Sequence, residues 1–373
     1  MSVRGSSAGL GTTQEPSPFD IVIDLLDALD LDAITLRRTD NFAWFTSGAS
    51  SVVDETRELG VASILVSRDG AVVVASNIDR ARLLEEELFD TPLDVIGYDW
   101  YSDEAAVLGR FIPPGRRIGS DTAATGTTDV HAELVRRRTV LSAGALDRYR
   151  ATAAQATAVV EEVCRQIRPG WTEQQVRGEV CRALLQADLY PAVLLVGADD
   201  RIAKFCHPVA TDQRIERQVM VVVCARRHGL FANLTRFVHF GPVSREISGR
   251  HRDVAVIHAA AVAATLPGRT YAAVFRTIQD TYAEVGARGH WRYHHQGGVT
   301  GYAPRELVIT PQTPGLVQEN QLIAWNPSAR GAKAEDTFVV RATGPEVLTR
   351  SATWPLADTG NPVVPHHPAV LLL

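Results

Sequence analysis

A chain of 373 residues is longer than one hydrophobic core usually serves and points to two domains. Its composition, 45% hydrophobic and 22% charged, is that of a globular protein, and a formal net charge of −5 with no long basic run gives no ground for nucleic acid or an anionic membrane as partner. No apolar stretch reaches the roughly 18–20 residues of a membrane span.

Residues 1–17 are rich in Ser, Gly and Thr and read as a disordered leader, not a signal peptide. The cysteines Cys164, Cys181, Cys206 and Cys224 form no C-x-x-C pair and read as buried thiols of a cytoplasmic protein. Ser17-Pro18 is a helix start, and 19–29 carries apolar residues at helical spacing. Segments 33–36 and 42–45 read as short strands, 61–66 and 71–75 as a hairpin turning at Asp69-Gly70, 78–88 as a helix, and 95–98 and 117–119 as strands. This alternation makes 18–143 a compact α/β domain. A long helix over 146–167 stops at Pro169-Gly170, and Thr172-Glu173 opens another through residue 185. Beyond it, 220–225, 237–240, 307–309, 322–326 and 337–341 are strand-like, while 253–266 and 271–285 are helical. Residues 144–356 therefore read as an α+β domain, and 357–373 as a C-terminal tail that packs on a neighbouring surface.

Several motifs, in order, carry a resemblance. They are Asn41-Phe-Ala-Trp-Phe-Thr-Ser-Gly48, Arg168-Pro-Gly-Trp-Thr-Glu173, Lys204-Phe-Cys-His-Pro208, His228-Gly-Leu-Phe-Ala-Asn-Leu-Thr-Arg236 and Gly331-Ala-Lys-Ala-Glu-Asp-Thr337. Together they resemble the creatinase/prolidase/aminopeptidase P superfamily, which implies an α+β pita-bread C-terminal domain, a smaller creatinase-like α/β N-terminal domain and a homodimer. The metal-dependent members of that superfamily hold two ions with two Asp, one His and two Glu. The matching positions here are Val222 or Val223, Asn233, Gly298, Asn326 and Glu335, so one ligand of the original type survives. The expectation is no metal, no cofactor and no dinuclear peptidase.

Creatinases, which the chain resembles in this respect, work without metal through histidine and carboxylate. By that resemblance His207 is the proton-handling residue and Glu335 its carboxylate partner, with Lys333, Arg236 and Arg305 as cations able to neutralise a buried Glu. Asn233 and Asn326 place neutral amides where ions once sat, and Arg305 could clamp a substrate carboxylate. In Tyr293-His-His-Gln-Gly-Gly298, His294, His295 and Gln296 bring donors together; strand alternation lets only one of the two histidines face the site. A rebuilt mononuclear metal site from His207, one of these histidines and Glu335 is a lesser alternative. Trp44 belongs to the small domain, which in creatinase-like dimers reaches towards the other subunit's site. The function expected is hydrolysis of a C–N bond in a small polar nitrogen compound; the alternatives are a lyase or isomerase on the same fold, in specialised metabolism, and a catalytically silent binding or scaffold protein.

Overall fold

A computed structural model of the chain describes residues 15–112 and 115–373, so most of the expected leader lies outside the described residues. Helix α1 (Pro18–Leu29) begins as the sequence dictates. The Ser17 hydroxyl accepts from the Asp20 N–H and the Asp20 carboxylate accepts from the Ser17 N–H, with proline at the first helical position. After β1 (Ala33–Arg38) comes α2 (Thr39–Phe45), which corrects the strand expected at 42–45. Asn41 to Phe45 are all buried, and so short an apolar run has no period to separate helix from strand. The hairpin is as expected, with β2 (Leu59–Ser67) and β3 (Gly70–Ser76). Then follow α3 (Arg80–Arg82), which runs into a π turn (Leu83–Glu87), β4 (Asp94–Tyr98), α4 (Glu104–Leu108), β5 (Ile118–Ser120), β6 (Thr128–Asp129) and α5 (His131–Arg138). The strands form one sheet in the order β4-β3-β2-β1-β5-β6.

Helix α6 (Ala143–Gln166), capped by Ser142, ends just before Pro169-Gly170, and Thr172 opens α7 (Glu173–Gln186) with a capping box to Gln175. Next are β7 (Tyr190–Ala198), unassigned from sequence, and α8 (Asp200–Lys204). β8 (Gln218–Arg227) and β9 (Leu230–His239) form a hairpin around His228 and Gly229, whose φ of 52° and 74° match the strand twist. A Cβ on Gly229 would meet the Ala43 Cβ at 2.4 Å, so the turn must be this narrow for α2 to lie against it. α9 (Arg245–Ala264) starts earlier than expected, and α10 (Tyr271–Glu284) where expected.

The remaining strands are β10 (Gly297–Thr300), β11 (Leu307–Val308), β12 (Leu322–Trp325), β13 (Ser328–Ala329), β14 (Ala332–Lys333), β15 (Asp336–Val339), β16 (Glu346–Val347), β17 (Leu356–Asp358), β18 (His366–Pro368) and β19 (Leu371–Leu372). Two sheets, β19-β9-β8-β7 and β11-β10-β12-β15-β16, meet where the Thr235 N–H donates to the Glu335 carbonyl at 3.0 Å. The C-terminal segment is no loose tail, because β19 pairs in parallel with β9. One core cluster joins the first sheet to α6, α7, β8 and β9; a second lies between α9, α10 and the β10-β12-β15 sheet. Buried Arg138 ties these parts together, pairing with Glu306 at 2.6 Å and Asp40 at 3.0 Å. Glu306 neighbours Arg305, so this ion cluster fixes a loop of the site described next.

Candidate functional site

Strand alternation decides what the inner face of the β8–β9 hairpin offers. Val222 lies opposite Thr235 and Cys224 opposite Asn233, so these four share one face. Val223 points the other way, into the large core. Val222 is therefore the residue at the first Asp position, and it packs with Ile202, Met220 and Phe237. Asn233 is fully buried; its amide N–H₂ donates to Thr300 Oγ1 at 3.0 Å while its Oδ1 has no partner among the described residues. Buried Asn326 likewise has an unpartnered Oδ1. A Cβ at Gly298 would lie 2.0 Å from the Leu307 carbonyl oxygen, so no side chain fits at the histidine position. The residues present do not fit a dinuclear centre: two neutral amides, a valine and a closed glycine supply none of the charge such a centre needs.

The fifth position, Glu335, is in use elsewhere. Its carboxylate is buried and receives Lys333 Nζ at 2.9 Å, Arg305 Nη2 at 2.8 Å and the Thr235 hydroxyl at 2.7 Å. Burial pushes this carboxyl up, but the two cations and the hydroxyl outweigh it and hold it well below the usual carboxylate range. Glu335 is thus a weak base that anchors Lys333 and Arg305. Because its folded pKa lies below its unfolded value, its stabilisation is complete above about pH 4.5 and drains away as pH falls below that. Thermal melts from pH 7 to pH 2.5 should show a shallower acid slope for Glu335→Gln than for wild type; parallel slopes would remove the ion cluster from the acid response.

Arg236, expected at the site, is not there. One residue after Thr235 on β9, it faces the opposite side, where it pairs with Glu161 at 2.9 Å and Asp336 at 3.1 Å. Thr235 takes the place at the site that spacing had offered to Arg236, and the same alternation counted from Asn233 identifies it.

The expected histidines do come together. His207 follows α8, and His294 and His295 follow a 3-10 turn (His290–Tyr293). His207 Nε2 lies 3.0 Å from His294 Nε2, and one ligating nitrogen from each of the three rings falls within 4.8 Å of the others. Both His294 and His295 belong to the cluster, with ring centroids 4.6 Å apart. The expectation that only one faces the site fails because this stretch is not regular strand: it leaves a 3-10 turn and enters Gly297 at φ 103°. His294 is buried, and its Nδ1 meets Ser328 Oγ at 3.3 Å, a partner that sequence gave no means of finding. His207 and His295 are exposed. All three imidazoles are held towards the neutral form, by burial first. Lys333 adds to this at His294, which falls to about 3, and at His207; Arg305 does so at His295, which falls to about 4.

Gln296 is occupied. Its amide N–H₂ donates to the carbonyls of Trp291 at 3.1 Å and His294 at 2.6 Å, and its Oε1 accepts from the Tyr282 hydroxyl at 2.8 Å. It shapes the histidine loop and is not free for a substrate. Trp44 is a core residue within its own chain, edge-on to Phe45. Cys206 is exposed, not buried as expected, with its Sγ 3.7 Å from the Tyr293 carbonyl. A cavity of about 430 Å3, lined by Cys206, Tyr293, Ser328, Met220, Ile202 and Lys333, adjoins the histidines. A larger one, about 660 Å3 between α9, β9 and the C-terminal strands, touches the ion cluster only through Thr235 and Lys333. No described helix is long and apolar enough to cross a membrane.

Residues 147–342 match metallopeptidase family M24. The chain is similar in structure to a prolidase from Pyrococcus horikoshii OT3, at TM-score 0.75 and 18% identity, covering 90% of this chain and 98% of that one. It is similar also to an X-Pro aminopeptidase from Thermotoga maritima MSB8, at TM-score 0.71 and 18% identity, covering 95% and 99%. A third neighbour is the N-terminal domain of the FACT complex subunit SPT16 from Cicer arietinum, at TM-score 0.68 and 12% identity, covering 89% and 94%. No curated protein matches the sequence.

Proposed function

Since the chain belongs to metallopeptidase family M24, we propose that it is a hydrolase built on that fold whose reaction centre is the histidine cluster instead of the family's paired metals. The substrate is a small nitrogen compound bearing N–H donors and an anionic group. The observation that carries this reading is the convergence of His207, His294 and His295 beside the Glu335–Lys333–Arg305 cluster, in place of the lost ligands.

The orphaned Oδ1 atoms of Asn233 and Asn326 supply acceptors for substrate N–H groups, and the excess positive charge of Lys333 and Arg305 over Glu335 favours an anion. In the reaction the water oxygen bonds to the carbon as an imidazole nitrogen of the His207–His294 pair takes the water's proton. The C–N bond then breaks with its electron pair on nitrogen, and the imidazolium returns the proton there. The same reading includes a cytoplasmic homodimer.

The test is amine release from a panel of N-acyl amino acids, guanidino acids, amides and dipeptides. Turnover of a panel member that falls roughly 10²–10⁴-fold in His207→Ala, with an unchanged melting temperature, is the expected result. Binding without turnover across the panel would favour the silent binding protein. One observation leans that way: the apolar packing of Val222 with Met220 and Phe237 where a carboxylate stood.

A further inference from the structure

The geometry points to a site for a single divalent transition-metal ion, made by His207, His294 and His295. This rests on the reading that the histidine cluster is the reaction centre, and it replaces both the wholly metal-free enzyme expected from sequence and the imidazole base given above, because a ligating nitrogen has no lone pair left for a proton.

None of the three histidines stands at a ligand position of the family, so the site is not a remnant of the paired-metal centre. Nitrogens bound at about 2.0–2.1 Å around one tetrahedral ion lie about 3.3–3.4 Å from each other. The 3.0 Å between His207 Nε2 and His294 Nε2 is already close to that spacing, and the third nitrogen lies within 4.8 Å of both. His207 and His295 are exposed, so the difference falls to the two rings whose side-chain torsions are least confined by packing.

The ring least able to move is also the best supported. Ser328 Oγ meets His294 Nδ1 at 3.3 Å, which leaves Nε2 facing the cluster; this is the outer hydrogen bond that ligating histidines use to fix their orientation. Ser328 is itself held, its N–H donating to the Tyr282 hydroxyl at 3.0 Å. The His294 carbonyl accepts from Gln296, whose Oε1 is held by the same hydroxyl. Tyr282 and Gln296, with no role in binding a substrate directly, thus become the frame of the site.

Three imidazoles, two of them exposed, make a three-ligand set that leaves room for water. Nitrogen donors without a carboxylate favour Zn²⁺, Ni²⁺, Cu²⁺ or Fe²⁺ over Mg²⁺ and Ca²⁺. Lys333 and Arg305 leave one net positive charge beside the site after Glu335 is counted, which weakens the hold on a dication relative to a carboxylate-bearing centre.

The experiment uses the full, tag-free chain stripped with chelator and titrated with Co²⁺ and Zn²⁺. The visible ligand-field bands of tetrahedral Co²⁺ and calorimetry with Zn²⁺ are the readouts. We expect about one ion per chain, Kd raised at least about 10-fold in His207→Ala and in His295→Ala, and a rise of about 10–100-fold in Ser328→Ala. His207 and His295 are exposed, so those variants should fold even if His294→Ala does not. Fewer than about 0.1 ions per chain at saturating metal, or binding indifferent to His207→Ala and His295→Ala, would overturn the site. The two readings separate: hydrolysis by a protein that binds no ion ends this inference and keeps the hydrolase, whereas an ion held by all three histidines without turnover of any substrate does the reverse.

Discussion

An Arg236→Met variant is expected to lose about 3–5 kcal/mol of stability, because it removes the cation from a buried ion cluster and leaves two carboxylates behind. Arg236 is fully buried, and its guanidinium reaches Glu161, Asp336 and the carbonyls of Thr235 and Thr349. Burial outweighs Arg236 and the Thr349 hydroxyl and pushes the Asp336 carboxyl up to about 6. Without the arginine it rises further and takes up a proton, while Glu161 keeps only the hydroxyl of Ser351. Arg236→Lys should recover less than half of the loss, since one ammonium cannot span four acceptors set around a planar fork. Chemical denaturation and thermal melting read this directly, with a fall in Tm of roughly 4–10 °C. A variant that melts with wild type and loses only substrate affinity would return Arg236 to the site, where its sequence motif had placed it.

That misplacement shows where sequence reasoning stops. The motif Asn233-Leu-Thr-Arg236 was legible, but its strand was read only from residue 237, because buried polar residues interrupt the apolar run. Had β9 been drawn from Leu230, alternation would have sent Asn233 and Thr235 inward and Arg236 outward. The opposite error befell His294 and His295, where alternation was applied to a stretch that is not a strand. Local signals with their own chemistry did better: the Ser17 cap, the Pro169-Gly170 stop and the Thr172 capping box each fix a helix end within a residue or so. The histidine cluster was legible in part: the resemblance put His207 and one of His294 and His295 at one site, although His207 and His294 are 87 residues apart. That both neighbours join it was not legible. The ligand losses were legible one by one, and Lys333 and Arg305 were among the cations expected to neutralise Glu335; nothing in the order of residues shows that both hold it at once or that Ser328 steadies an imidazole.

Restoring the family's ligands should fail, and for a reason that counting ligands does not supply. Gly298→His is expected to cost about 2–4 kcal/mol, as overpacking against a backbone that is itself hydrogen-bonded in a sheet. Gly298 lies between Val308 and Ala324 in the β11-β10-β12 sheet, and an added Cβ meets the Leu307 oxygen at 2.0 Å and the Ile309 nitrogen at 2.9 Å. Gly297 is closed in the same way by the Ala324 oxygen at 2.0 Å. Combining Val222→Asp, Asn233→Asp and Asn326→Glu with it supplies all four missing donors, but the histidine introduced at Gly298 would be displaced by the clash and Glu335 remains tied to Lys333 and Arg305. The combined variant should therefore hold fewer than about 0.2 additional ions per chain by elemental mass spectrometry, because a complete donor set with one ligand misplaced and another already neutralised cannot offset the ions' loss of water. Two ions per chain with hydrolysis of X-Pro dipeptides would sink this view. The distinction matters for what the protein can now be: a centre lost only by side-chain exchange could be regained by it, whereas one whose backbone has closed at Gly298 and whose last carboxylate has taken other partners leaves the histidine cluster as the place where chemistry can occur.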